Sequence, residues 1–161
     1  MEKGKRLFFA THVAVGAAID RSIGVKWLTV VAAFASHIVL DTICIYHPTP
    51  LPFAVWVGLW VSNTAIVAIL LWKARQYWLG MVSAAILDIE WAAQWINGIL
   101  HFELLPAWPF AMHKWLIPFT ISSRYPGLSN NMLGVILEAA ILGLALYIVF
   151  RRQPVRAVGL P

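Results

Sequence analysis

The feature that most constrains this chain is how its apolar residues are grouped. They fall into five blocks with charges at the block ends: Leu7–Ile19 (running into Asp20), Trp27–Tyr46, Phe53–Trp72, Tyr77–Phe102 and Asn131–Phe150. A helix rises 1.5 Å per residue, so about 20 residues cross a ~30 Å hydrocarbon core. Four of the blocks reach that length. Hydrophobic residues make up 61% of the 161 and charged residues 12%, against about 25% charged in an ordinary soluble domain. A soluble globular domain, a disordered chain and a coiled coil are thereby excluded. The expectation is an all-α, polytopic integral membrane protein, a bundle of four to five transmembrane helices in one domain over residues 1–161.

The punctuation between blocks sets the topology. His47-Pro48-Thr49-Pro50 stops the second block, Lys73 and Arg75 the third, and Arg151-Arg152 the fifth. Residues 103–130 carry four prolines and Trp108, Phe110, Trp115, Phe119 and Tyr125, the composition of an aromatic loop at the outer membrane face. With Lys73, Arg75, Arg151, Arg152 and Arg156 in the cytoplasm, the second block runs outward, with Arg21 and Lys26 inside. The basic start (Lys3, Lys5, Arg6) then lies inside only if the first block does not cross. Its thirteen residues give about 20 Å of helix, which suits a re-entrant or tilted half-span. The rival is a five-span chain with its N-terminus outside. The start resembles a signal peptide but lacks a small-x-small cleavage site, so it reads as retained. The net charge of +5 sits at block ends, where it fits orientation and contact with membrane lipids; nucleic acid is not expected as a partner.

Ionisable residues at membrane depth carry the functional signal, because each costs a few kcal/mol unless partnered. His37 and Asp41 are four residues apart, on one helical face, with Cys44 three further on. His12, Gly16 and Asp20 repeat every four, and Gly16 allows another helix to come close beside His12. A neutral imidazole and a carboxylate one turn apart can share a zinc-type ion. His12 is a candidate third ligand, with a position left for water. The other reading is a His–Asp hydrogen bond inside the bundle with no metal. Glu90, Gln94, Asn97 and His101 form a polar face, either a helix–helix seam or a path for substrate or protons. Asp88 lies about 200° round the wheel from Glu90. Glu138 reads as a packing acid, His47 and His113 as interfacial, and Cys44 as a small apolar residue. No intrachain disulfide is possible with one cysteine. Trp27, Trp56, Trp72, Trp78, Trp108 and Trp115 suit an interfacial belt, while Trp60, Trp91 and Trp95 lie deeper.

The runs Thr11-His12-Val13-Ala14-Val15-Gly16 and Ala35-Ser36-His37-Ile38-Val39-Leu40-Asp41 resemble the bacterial membrane-bound metal-dependent hydrolase family. That family has a His near the start of its first helix and a Ser-His-x-x-x-Asp helix motif. Ala85-Ile86-Leu87-Asp88-Ile89-Glu90 is similar to its Leu-Pro-Asp-Ile-Asp-His run, with Leu87 in place of the proline and Glu90 and Trp91 in place of the Asp and His. The family's His-Arg-Gly-x-Thr-His segment has no counterpart here, and the motif order differs. The resemblance implies His12, His37 and Asp41 as metal ligands and Asp88 as a fourth ligand or catalytic base. It implies hydrolysis of a lipid-like or ester substrate with a divalent metal, zinc by preference, in the bacterial cytoplasmic (inner) membrane. The alternative is a non-catalytic small subunit or scaffold of a membrane complex, with other membrane subunits as partners. One form of it binds a pigment through His12 or His37, with Ala33, Ser36 and Gly16 making room for the ring. A small transporter or channel built on the Glu90–His101 face is the third reading.

Overall fold

A computed structural model describes residues 9–43, 53–88 and 132–151. They form five α-helices and no strand: α1 (Phe9–Ile23), α2 (Lys26–Ile43), α3 (Phe53–Lys73), α4 (Trp78–Ala85) and α5 (Met132–Phe150). Short 3₁₀ turns flank α4 at Arg75–Tyr77 and Ile86–Asp88. Cys44, His47, Glu90, Trp91, Gln94, Trp95, Asn97, His101, the aromatic loop 103–130 and His113 lie outside the described residues.

The shortest apolar block forms the central helix. α1 packs against α2, α3, α4 and α5. It can do so because its surface is nearly smooth: Ala10, Ala14, Gly16, Ala17 and Ala18 are buried along it. At Gly16 it meets α4 backbone to backbone. A Cβ built on Gly16 would overlap the Gly80 carbonyl oxygen and stand 2.7 Å from the Ala84 Cβ; one built on Gly80 would overlap the Gly16 carbonyl in return. The expected close approach beside His12 is present, and α4 is the helix that makes it.

α1 also outruns its apolar block, continuing through Asp20 and Arg21 to Ile23. Both charges are neutralised by helix ends. The Gly80 N–H, in the first turn of α4, donates to Asp20 Oδ2 at 3.1 Å. Tyr77, which precedes α4, provides no side-chain cap of its own. Arg21 donates to the carbonyls of Val149 and, at 2.6 Å, Arg151, where α5 ends. An anion thus faces a helix N-terminus and a cation a helix C-terminus, each matching the local dipole. At the other end of α1, the Ala10 N–H donates to Asn63 Oδ1 of α3 at 2.7 Å. α1 stops at Gly24, whose φ of +68° is the left-handed closing conformation that glycine adopts without strain.

Among the described residues no single helix is long and apolar enough to cross a membrane. The limbs Val57–Lys73 and Arg75–Asp88 meet that requirement together, bent by 94° at Ala74. The all-helical class agrees with the sequence reading. Of the expected fourth span only residues 77–88 are described: the eight residues of α4 run on into the 3₁₀ turn that carries Asp88.

Candidate metal centre

The α1–α4 crossing brings His12 close to α2. His12 is 1% exposed and His37 0%. Their rings stack, with centroids 4.1 Å apart and planes 22° from parallel. Asp41, one turn after His37, turns a carboxylate oxygen to each ring. Oδ1 is 3.3 Å from His12 Nε2, and Oδ2 is 3.1 Å from His37 Nε2. One ligand atom from each of the three residues lies within 4.8 Å of the other two. His12, His37 and Asp41 therefore form a possible metal-binding triad, assembled from two helices.

The donor set fits a first-row divalent ion. Two imidazoles and one carboxylate are ordinary ligands for such metals. The nitrogen–oxygen separations approach the edge, about 3.4 Å, of a tetrahedron with ~2.1 Å bonds. His37 adds a stricter constraint. Its Nδ1 is 2.5 Å from the Ala84 carbonyl oxygen. A carbonyl only accepts, so Nδ1 carries a proton. A neutral ring then turns the bare lone pair of Nε2 toward a carboxylate oxygen, which is repulsive. A proton shared between Nε2 and Asp41, on the ring or on the carboxylate, or a cation between them removes the conflict. His12 points the other way. Its buried Nδ1 has no hydrogen-bond partner among the described residues, whereas metal-bound imidazoles almost always donate their second N–H. Its proton is better placed on Nε2, donating to Asp41. The triad accommodates a metal, and it also accommodates a metal-free chain of imidazole, carboxylate and imidazolium.

Asp88 is not in the triad. Its Oδ2 is 4.0 Å from His37 Nδ1, on the side of the ring that faces Ala84. The structure thus sets it apart from the three converging ligand atoms, next to the ring of His37. The Nδ1 proton goes to the Ala84 carbonyl, so the Asp88 carboxylate favours it there through charge and not through a hydrogen bond of its own to the ring. A helical wheel places Asp88 on a regular helix, and the 3₁₀ turn Ile86–Asp88 breaks that register. The room expected for a pigment ring beside Gly16 is filled by the backbone of α4. Ser36 spends its hydroxyl on the Ala33 carbonyl at 2.7 Å.

Glu138, buried to 4% exposure, accepts from the Thr11 hydroxyl at 3.3 Å. This is the partner a packing acid requires, and it lies one residue from His12. Three contributors do not emerge from the sequence reading: Asn63, Gly80 and Ala84. Asn63 has a signal, an amide inside an otherwise apolar block. Ala84 acts through its main chain and leaves no trace in the residue types.

No protein-family model matches the chain, and neither any curated protein nor any solved structure matches it.

Proposed function

We propose that the chain is an integral membrane protein that holds a divalent metal ion between His12, His37 and Asp41 and hydrolyses a lipid-like or ester substrate. The observation that carries this reading is the buried convergence of three ligand atoms within 4.8 Å, with the second nitrogen of His37 already committed to Ala84. The membrane part is supported by an inverted distribution of side chains. The core is mostly alanine: Ala10, Ala14, Ala17, Ala33, Ala74 and Ala84 are all nearly inaccessible. Large apolar residues face outward, among them Val31 at 57% exposure, Leu144 at 61% and Val61 at 63%. Small residues inside and large ones outside is the pattern of helices that associate in lipid, where apolar burial gives no advantage.

Held by His12, His37 and Asp41, a divalent ion would supply the Lewis acidity that hydrolysis needs. Zinc is our preferred ion. The protein's own part is to hold the ligands. His37 is fixed by the Ala84 carbonyl, and His12 by its place in α1, the central helix. The Asp41 side chain is 13% exposed while the imidazoles are closed, so a substrate approaches from the Asp41 side. The test is elemental analysis of the detergent-purified protein, with hydrolysis of phospholipid and simple ester substrates assayed on the same sample. One equivalent of metal, lost in His37→Ala together with turnover, is the expected result. Absence of metal from an active, folded sample overturns the metal reading.

One observation favours a second reading, a non-catalytic subunit or scaffold. Among the described residues His12 Nδ1 lacks the acceptor that a ligand histidine normally has. In that reading the triad is a polar tie between α1 and α2, and a metal-free, fully stable protein that co-purifies with larger membrane subunits is the expected result.

A further inference from the structure

All five lysines and arginines among the described residues gather at one end of the bundle. At that end α1, α3 and α5 finish and α2 and α4 begin. Arg21 reaches the carbonyls of Val149 and Arg151, and its guanidinium carbon lies 6.0 Å from the centre of the Tyr77 ring. Tyr77 closes the turn that holds Arg75 and follows Lys73 by four residues. Lys26 starts α2 just beyond Gly24. Of the four described acids, Asp20 alone lies here, and the Gly80 N–H engages it. Asp41, Asp88 and Glu138 belong to the other half of the bundle.

The cations divide by what they do. Arg21 is half-buried and works inside the protein. Lys26, Lys73, Arg75 and Arg151 are exposed, and among the described residues no carboxylate pairs with any of them. Three exposed tryptophans stand beside them: Trp27 next to Lys26, Trp72 next to Lys73, and Trp78 next to Tyr77, at 70%, 71% and 57% exposure. The Lys73 ammonium lies 3.9 Å from the centre of the Trp72 ring, so cation and indole occupy the same level. Four exposed cations ringed by indoles call for a partner that is anionic at its surface and apolar just beneath. A nucleic acid offers the first property without the second, since its apolar base faces lie stacked inside the duplex. A bilayer leaflet containing anionic phospholipid has both, and indoles settle at its headgroup level.

We propose that this end is an anionic-phospholipid docking surface, with Lys26, Lys73 and Arg75 as its headgroup ligands and Trp27, Trp72 and Trp78 as its interfacial anchors. The proposal rests on the membrane part of the function above and not on the metal centre. The full chain is reconstituted in mixed phosphatidylcholine–phosphatidylglycerol nanodiscs, extracted gently, and its retained lipid quantified by native mass spectrometry. Phosphatidylglycerol is expected to be enriched over phosphatidylcholine. The enrichment should fall about fivefold for each charge removed in Lys26→Gln, Lys73→Gln and Arg75→Gln, and shrink as salt is raised. Lys73→Arg keeps the charge and should keep the enrichment, which separates lost charge from lost fold. Equal retention of both lipids by the unaltered protein, or enrichment untouched in the triple variant, overturns the proposal. So does displacement of the lipid by duplex DNA at equal phosphate concentration. A chain that fails to enter nanodiscs of either composition overturns the membrane reading instead.

Discussion

Near its start, α1 hands His12 to a carboxylate on another helix. Near its end, it hands Asp20 and Arg21 to main-chain groups at the ends of α4 and α5. Both halves keep polar groups inside an alanine-lined bundle, and both use the same helix to do it. The chemistry they ask of the side chain differs. The His12–Asp41–His37 cluster needs one carboxylate to serve two rings, or two rings and a carboxylate to share a cation. In the other half, a backbone N–H needs an acceptor and gains from negative charge; a carbonyl needs a donor and gains from positive charge. The first half is specific in atoms and geometry, the second only in sign. Between them lies the Gly16–Gly80 crossing, which sets the spacing for both.

The largest effect is expected where the two halves depend on the same contact. Gly16→Val places branched carbons where the Gly80 carbonyl and Ala84 already stand. The helices must separate, at a cost of roughly 3 kcal/mol or more. Thermal unfolding in detergent should show the loss, and metal content should fall with it, because His12 moves with α1. If Gly16→Val instead leaves the melting temperature unchanged, the crossing is loose and the two halves are independent.

Next in size is Asp41→Ala. It strips both imidazoles of their shared partner, and leaving buried polar groups unsatisfied costs about 1–3 kcal/mol. Metal binding should disappear with it. Asp41→Asn separates the two readings of the cluster. An amide still hydrogen-bonds but ligates poorly, so near-normal stability with lost metal marks a metal site. Near-normal stability with every assayed function intact marks a structural tie. A neutral Asp41→Ala, measured by the same melt, means that the cluster does not stabilise the bundle at all.

Smaller again is Asp88→Asn. If the charge of Asp88 supports the Nδ1 proton of His37, its loss should weaken metal affinity about tenfold while leaving the stoichiometry and the fold in place. Equilibrium titration against a chelator reads the affinity, and Asp88→Glu should recover part of it. A change in stability without a change in affinity assigns Asp88 to packing instead.

The residues legible in the sequence are those whose chemistry is out of place in an apolar block. His37 and Asp41 one turn apart, and the His12–Gly16–Asp20 stripe, announce a shared face and a close crossing through residue type and spacing alone. The stripe resolves into three contacts with three purposes: a carboxylate on α2, the backbone of α4, and the first turn of α4. What the sequence hides passes through the main chain. The Ala84 carbonyl, the carbonyls at the end of α5 and the N–H of Gly80 belong to positions whose residue types do not reveal these bonds. The 3₁₀ turn at Asp88 contains no proline or glycine to announce it. The end of α1 is hidden for a related reason. Asp20 and Arg21 have the look of a block limit, and only the neighbouring helix ends make it favourable for the helix to carry them.

The smallest expected effect repeats the Asp41 experiment in the other half of α1. Asp20→Asn keeps an oxygen that can accept from the Gly80 N–H and removes only the charge. A carboxylate at a helix N-terminus contributes about 0.3–1 kcal/mol through the dipole, so the melting temperature should drop slightly. Asp20→Ala removes the acceptor as well. It leaves an orphan N–H at a helix that has no side-chain cap of its own, and should cost about 1 kcal/mol. Both variants should keep full metal content, since Asp20 lies two turns from His12 and touches none of the triad. The contrast with position 41 is then direct: the same Asp→Asn change is nearly silent where the partner is a backbone dipole and decisive where it is a shared ion. If Asp20→Asn abolishes metal binding as Asp41→Asn does, the two halves of α1 are one coupled unit, and the division drawn between them fails.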